Sequence, residues 1–516
     1  MAEKVQFDPS RGNELYEKYA ESWQRAVDFA ELDLDEMKET YLFQHSREAS
    51  ESHIWLWRAR KQLLHPRGIT TKLGLSVRLS YLFDRMPRRS GALMERDYIQ
   101  AFVTDCTGGG KSLDDFMRDV LAAAVTTGLA DVLVDPTPPE SLEGGEFRSE
   151  AERRARTRPY ISLFTQLDRT SWLMGYDGNY SMVRYLERGY GAADESLFDN
   201  EPQSAPSSVL TFLRHSWARH TKTGTGKEAV WVMDGPHPTM GAIPVVQLVN
   251  QWSAKPSEAG IAKSDLMAVA ALDQRMLNLA SEMDGAELFV RNVLTWPGSK
   301  TDVPPPDEFG RGMVLVYPED ARGLPAVLNW PTEEIRIRLD MLRDIERKAM
   351  ALLKFTFRLG NPDEPSGTSG RHEILQRTEL YKELGAWSNK LEGCEKQIIA
   401  WVESYVQGRM VRPDELDYSV NYNDDFILEG PDELLEYSKT VLDYLKPVSP
   451  TFAKDWMLRT MEGLMGTGHP NAEAWQAEVE QYTEEHMGGT AKEEPEAHPM
   501  RFPNVEQMKE LMAAED

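Results

Sequence analysis

The feature that most constrains this chain is the run from residue 261 to 411, where apolar spacing predicts three long helices in one polypeptide. In residues 261–290, Leu266, Val269, Leu272, Met276, Leu279 and Met283 recur at steps of three and four. That is a single apolar stripe on about 45 Å of α-helix. Residues 331–354 repeat the stripe through Ile335, Leu339, Leu342, Ala349 and Leu352, while Arg336, Arg338, Asp340, Arg343, Asp344, Glu346, Arg347 and Lys348 crowd the other faces. Residues 371–411 continue it through Ile374, Tyr381, Leu384, Leu391, Cys394, Ile398, Val402 and Tyr405, on the order of 60 Å of helix. A Pro-rich strand segment separates the first two, and a polar Gly/Ser/Pro loop, 358–370, separates the last two. Extended helices apolar on one side and charged on the rest predict a wall that other copies complete.

The remainder is read around that wall. Helix periods outnumber strand periods, so the expected class is α+β, mainly helical, with a small antiparallel sheet. A formal net charge of −26 disfavours a protein that grips nucleic acid by charge, which needs a basic surplus. Cys106 and Cys394 lie far apart in sequence and are expected as reduced thiols. No apolar signal-peptide core opens the chain and no run of about 18 apolar residues occurs in it, so a soluble cytoplasmic product is expected.

Residues 1–65 read as charged amphipathic helices, the strongest over 51–64 with Ile54, Trp55, Trp57 and Leu63. The stretch 69–90 is apolar at Leu75, Val77, Leu79, Tyr81, Leu82 and Phe83 and ends in the basic cluster 85–89, read as a solvated turn. Residues 112–127 carry a marked helix: Ser112 as N-cap with Asp115 three residues on, an apolar face, and Gly128 as the stop. A buried strand over 130–135 follows, then strands over 160–167 and 172–176, a hairpin of 209–220 with 228–233, and a strand over 243–249. Residues 418–426 alternate as a strand, and Pro431, Pro450 and Pro470 open three late helices over 431–445, 450–462 and 470–486.

Two segments invite a chemical reading. Asp105-Cys-Thr-Gly-Gly-Gly-Lys111-Ser112, between a strand-like stretch 98–104 and a helix, resembles a phosphate-binding loop, and Asp135 ends a strand as a magnesium-binding Asp would. This supports the alternative of an ATP-dependent DNA-packaging or remodelling enzyme using Lys111. Against it, Asp105 puts a negative charge at the position where the loop needs Gly, and the helix runs directly into the Asp135 strand. The other segment holds Ser366, Thr368 and Ser369 ahead of His372 and Glu373, without the strand-to-helix elbow of a serine nucleophile. No His/Cys cluster has metal-ligand spacing, so neither metal, cofactor nor catalytic set is expected.

The ordered series of elements is more specific than any motif. The stretch 77–87, the helix-glycine-strand unit 112–136, the strand 243–250, the helix opening Ile261-Ala-Lys-Ser-Asp-Leu266, residues 297–330, the helix to 354, the Gly/Ser loop with Glu373 beyond it, and the late helices joined by Pro447-Val-Ser-Pro450 together resemble a portal protein of tailed bacteriophages. The resemblance covers about residues 50–465. It implies a wing and N-terminal region over 1–260, stem helices over 261–290 and 331–354, a clip over 291–330, a tunnel loop over 355–370, a long wing helix and strand over 371–429, and a crown and tail over 430–516. It further implies a ring of twelve copies at one capsid vertex of a virion made in the bacterial cytoplasm, with double-stranded DNA packaged and ejected through the middle. The terminase motor, head-completion (adaptor) proteins and major capsid and scaffolding proteins are the implied partners, and no membrane is involved.

Carried onto this sequence, the tunnel loop facing DNA comprises Arg358, Asn361, Asp363, Glu364, Ser366, Thr368, Ser369 and Arg371, with Arg358 and Arg371 as the transient phosphate contacts. In the stem, Glu334, Arg338, Asp340, Asp344 and Lys348 are expected to face neighbours or the lumen. Glu334 to Arg338 and Asp344 to Lys348 are i, i+4 pairs worth only about 0.2–0.5 kcal/mol each, more useful as a register between copies than as stability. An acidic ring lets the duplex slide, whereas a basic one would hold it by counterion release. Gly385 and Gly393 predict a bend in the long helix.

Overall fold

The computed structural model describes residues 9–45, 48–49, 54–63, 69–135, 159–176, 178–187, 208–223, 230–290, 293–298, 314–318, 327–328, 332–355, 370–423, 454, 456–458 and 478–479. The chain divides into two compact units, Met1–Phe426 and Ile427–Asp516. In the second unit, residues 454, 456–458 and 478–479 are helical; the three late helices expected over 431–486 otherwise lie outside the described residues.

Among the described residues the first unit is a mixed α+β body with nine α-helices: α1 (Glu14–Glu31), α2 (Leu34–Thr40), α3 (Ile54–Leu63), α4 (Thr70–Leu82), α5 (Asp97–Thr104), α6 (Leu113–Thr127), α7 (Asp265–Val290), α8 (Thr332–Leu352) and α9 (Gly370–Gln407). Its central sheet has three antiparallel strands in the order β3 (Tyr160–Thr165), β2 (Leu129–Asp135), β9 (Val245–Val249). Every residue of β2 but the last is buried, which is why its sequence is a continuous apolar run interrupted by one aspartate. Against this sheet pack α6 and α9, and their apolar faces join those of α4, α5 and the ends of α7 and α8 in one core. A second sheet is a meander of β4 (Arg169–Met174), β5 (Tyr180–Glu187), β6 (Ser208–Leu213), β7 (Ser216–Thr223) and β8 (Val230–Pro238), and α1 lays Trp23 against it.

The helix after Lys111 forms as its sequence demands. Ser112 Oγ accepts from the Asp115 amide at 3.1 Å as a side-chain N-cap and donates to the Asp115 carboxylate at 2.8 Å, a hydroxyl bond in place of the backbone bond of a full capping box. Gly128 closes it at φ 99°, and a Cβ there would stand 2.9 Å from the backbone carbons of Ala262 and Lys263. Only glycine fits a left-handed turn pressed against another strand.

Several expectations are corrected. Residues 98–104, strand-like by composition, form α5, because Ile99 and Phe102 are the buried positions and three-residue spacing is helical. The segment 209–220 is two strands, β6 and β7, turned at Arg214 and His215, and β5 is a further strand of the expected antiparallel sheet, one that the reading of the sequence did not place. Residues 261–264 stay outside α7, since Ala262 and Lys263 form β11, paired with β10 (Gln251–Trp252). The strand over 418–426 is, among the described residues, β15 (Ser419–Asn421), paired antiparallel with β1 (Arg88–Ser90). The basic cluster 85–89 is therefore part strand, and the Arg89 side chain is only 7% exposed.

α7 is not single-sided either. Besides the expected stripe it buries Ala270, Asp273, Leu277, Ala280 and Ser281 against the N-terminal helices. Asp273 accepts from the Thr71 amide and the Thr71 hydroxyl, each at 2.7 Å, and from the Thr70 hydroxyl. Those residues open α4, whose own N-cap position, Ile69, offers no side-chain acceptor. Asp273 thus caps α4 from another helix, a carboxylate at the positive end of a helix dipole.

α9 runs unbroken through Gly385 and Gly393. A Cβ at either glycine would meet nothing within 4 Å, so neither is required by packing within the chain. Replacing each by alanine should stabilise the folded chain by about 1 kcal/mol, readable as a higher midpoint in urea unfolding.

Candidate subunit surface and its supports

α7 and α8 lie side by side and antiparallel. Met276 packs with Leu342 and Ile345, Arg338 Nη1 reaches Glu282 Oε2 at 3.4 Å, and a Cβ on Gly74 would meet both Leu266 and Leu353 at the other end. The buried face of α8 is Leu342, Ile345, Ala349 and Met350, continued by Leu353 just past its end. Leu352, expected in that stripe, is instead 40% exposed, and Ile337 and Met341 are 53% and 41% exposed. These three fall within about 60° of one another around a 3.6-residue helix. They make an apolar strip along one edge of α8 that nothing covers among the described residues.

Charge interrupts that strip, since Lys348 falls in the same sector between Met341 and Leu352. Lys348 Nζ donates to Asp344 Oδ2 at 2.7 Å, the expected i, i+4 pair, and this hydrogen bond holds the Asp344 carboxyl below its ordinary value. Asp340 faces Arg343 Nη1 at 3.7 Å. Arg338 ties α8 to α7; the Glu334 side chain lies outside the described residues. So do Arg358, Asn361, Asp363, Glu364, Ser366, Thr368 and Ser369, while Arg371 is placed by its backbone in the first turn of α9.

The helix pair is rooted in the body by groups whose role the sequence did not reveal. On α7, Ser281 Oγ accepts from Arg60 Nε at 3.0 Å, and the buried Arg60 meets Glu48 through two contacts of 2.8 Å. Beyond the end of α8, Lys354 joins Arg78 of α4 on Glu383 of α9, both at 2.9 Å. α9 is in turn fixed by Glu395, which is fully buried and accepts from Arg89 Nε at 2.7 Å, Arg89 Nη2 at 3.0 Å, the Tyr422 hydroxyl at 2.6 Å and the Tyr418 hydroxyl. Arg89 Nη2 also reaches Asp114 Oδ1 of α6 at 2.6 Å. Burial alone would push the Arg89 guanidinium down; the hydrogen bonds and charges of Glu395 and Asp114 outweigh it and hold the group up. The same burial, with the Glu395 charge, drives both tyrosines up and keeps them neutral donors.

A second buried cluster joins the two sheets. Asp131 of β2 accepts from the hydroxyls of Tyr180 at 2.8 Å and Tyr185 at 2.7 Å. Arg169 donates to Tyr180 at 2.5 Å and to the Gly260 carbonyl at 2.7 Å, and lies 4.1 Å over the Trp172 ring. Here too burial pushes the Asp131 carboxyl up against the pull of Arg169 and the hydroxyls.

The phosphate-loop reading fails on geometry. A helix, α5, precedes the glycines where a strand is required. The Gly110 amide donates to Asp105 Oδ1 at 2.9 Å instead of pointing at open space, and Lys111 is paired with Asp119. Asp135, the proposed magnesium partner, has its carboxyl pushed up to about 6, chiefly by burial, with the Tyr160 hydroxyl at 3.3 Å opposing. It holds its proton where an aspartate of the unfolded chain, near pKa ~3.9, has lost it. Its contribution to stability is therefore full below that unfolded value and is lost as pH rises through about 6. Asp135→Asn should flatten this part of the pH profile, measured as the difference in melting temperature from the parent between about pH 4 and 7.

Among the described residues no group of His, Cys, Asp and Glu is arranged to hold a metal, and no helix is long and apolar enough to cross a membrane. Cys106 and Cys394 are both free and buried, and burial pushes the Cys106 thiol up to about 12.

No protein-family model matches the chain, and no curated protein matches it. Among solved structures it is similar to a chain described as "Neck of empty GTA particle computed with C6 symmetry", at 10% identity over 78% of this chain and 91% of that one, TM-score 0.36. Another, "Neck of native GTA particle computed with C12 symmetry", gives 10% identity over 76% and 89%, TM-score 0.37. Likenesses this slight assign no role to the chain.

Proposed function

We propose that the chain is a portal-type subunit, forming a ring through which double-stranded DNA is packaged into and ejected from a virion. The observation that carries this is the α7–α8 pair: two antiparallel helices, rooted in the body by Arg60, Asp273 and Lys354, leave Ile337, Met341 and Leu352 uncovered beside the Asp344–Lys348 pair. An apolar strip interrupted by charge is what a neighbouring copy would bury, and a head-to-tail contact repeated about an axis closes into a ring. The resemblance of the ordered elements to portal proteins supplies the rest: α7 and α8 as the stem, the β12 (Val293–Gly298), β13 (Val314–Pro318) and β14 (Val327–Leu328) sheet as the clip, α9 as the long wing helix, and residues 355–370 as the tunnel loop. The net charge of −26 per copy suits a channel wall that does not hold DNA. Twelve copies, the packaging motor, head-completion proteins and the capsid as partners, and the virion as the location belong to this reading.

Electron imaging and light scattering of the purified chain test it: rings with a central hole are expected, and a single-copy globule would end the proposal. Arg358→Ala with Arg371→Ala should then lower DNA packaging while rings persist. An ATPase activity abolished by Lys111→Ala would restore the enzyme alternative.

A further inference from the structure

A pocket of about 440 Å³ opens where the start of β5, the loop before β9 and the C-terminal part of α9 with the segment after it come together. Its walls include Ile243, Trp401, Met410 and Tyr180, with Arg214 and Arg412 as the charged lining residues. In a chain with 84 acidic and 58 basic residues, the described lining holds two arginines and no carboxylate. Arg412 is exposed and forms no ion pair among the described residues. The walls are already fixed: Tyr180 is pinned by its bonds to Asp131 and Arg169, and Trp401 lies against Tyr405 with ring centres 5.9 Å apart. Nothing in the portal reading uses this place.

The composition resembles the centre of a protein interface, where Trp, Tyr, Met and Arg are enriched and Lys, Asp and Glu depleted. Because its walls need no ordering, little conformational entropy would be lost on docking. We infer that this pocket is a docking socket for a short segment of a partner protein that carries one large apolar side chain followed by carboxylates. The apolar group enters against Trp401, Met410 and Ile243, and the carboxylates meet Arg412. Charge complementarity selects the acidic sequence.

The test is fluorescence anisotropy of dye-labelled peptides on the full chain, comparing Gly-Ser-Trp-Glu-Glu-Ser-Gly with Gly-Ser-Trp-Lys-Lys-Ser-Gly. The acidic peptide should bind at least about tenfold more tightly, and Arg412→Glu should reverse the order. Gln397→Trp, a change at an exposed lining position of α9, should fill the socket and abolish binding while circular dichroism and the oligomeric mass stay unchanged. Equal binding of both peptides, or binding that survives Gln397→Trp, overturns the inference. So does N-acetyltryptophan binding as tightly as the whole peptide, which would make the ligand a small acid. Loss of the oligomer in Gln397→Trp would assign the socket to a second copy and overturn it equally; the ring reading fails separately, if the parent forms no ring.

Discussion

Replacing Glu395 by alanine should cost the folded chain about 3–5 kcal/mol, because it strands the buried Arg89 guanidinium. The residue is fully buried, its two oxygens serve Arg89, Tyr418 and Tyr422, and Asp114 alone cannot satisfy what remains. Thermal and urea unfolding at one protein concentration measure the loss. The pair itself is not expected to be a large net source of stability, since removing two charges from water opposes their attraction. Arg89→Met combined with Glu395→Leu should therefore lose less than the two single changes added together, the remaining loss coming from the Tyr418 and Tyr422 hydroxyls left without their acceptor. A single-variant loss below about 1 kcal/mol, the range of an exposed ion pair, would mean that the cluster is wetter than its geometry implies.

The second large effect concerns assembly. On the ring reading proposed above, Ile337→Asp with Met341→Asp should convert rings to single copies while leaving helix content intact, read by sedimentation velocity and circular dichroism. Both side chains are already half exposed in the isolated chain, so the substitutions bury no charge within a copy. In an assembly they would place carboxylates in a desolvated contact repeated at every interface, and hot-spot losses of about 2 kcal/mol or more per contact suffice to open a ring. An unchanged sedimentation coefficient would remove this strip from the subunit contact.

What the sequence revealed was periodicity. The α6 unit was legible to the residue, since Ser112, Asp115 and Gly128 each have a local requirement that no distant contact overrides. α7, α8 and α9 were legible as helices for the same reason. Which of their faces are covered was not: Leu352 fits the stripe by number, yet the axis of α8 sets Leu353 inward. The polar clusters were invisible because their members meet only in three dimensions. Arg89 looked like part of a solvated basic turn, and its partners at 114 and 395, with Tyr418 and Tyr422 on the same Glu395 carboxylate, carry no shared spacing. Asp131 gave one signal that went unused, a lone carboxylate inside an otherwise apolar strand, which predicts buried donors opposite it. α5 failed because a short run of Tyr, Ile, Phe and Val suits strand and helix alike.

β1 has its strand partner in β15, and Ser90 meets Ser419 hydroxyl to hydroxyl, near the opposite limit of the same unit. A ribosome emitting this polypeptide must therefore release nearly all of the unit before its opening third can close. Such long-range closure is slow relative to local helix formation. Newly made chains complete this unit only once residue 421 has been added, so this one clasp sets a delay between translation and the closing of the unit.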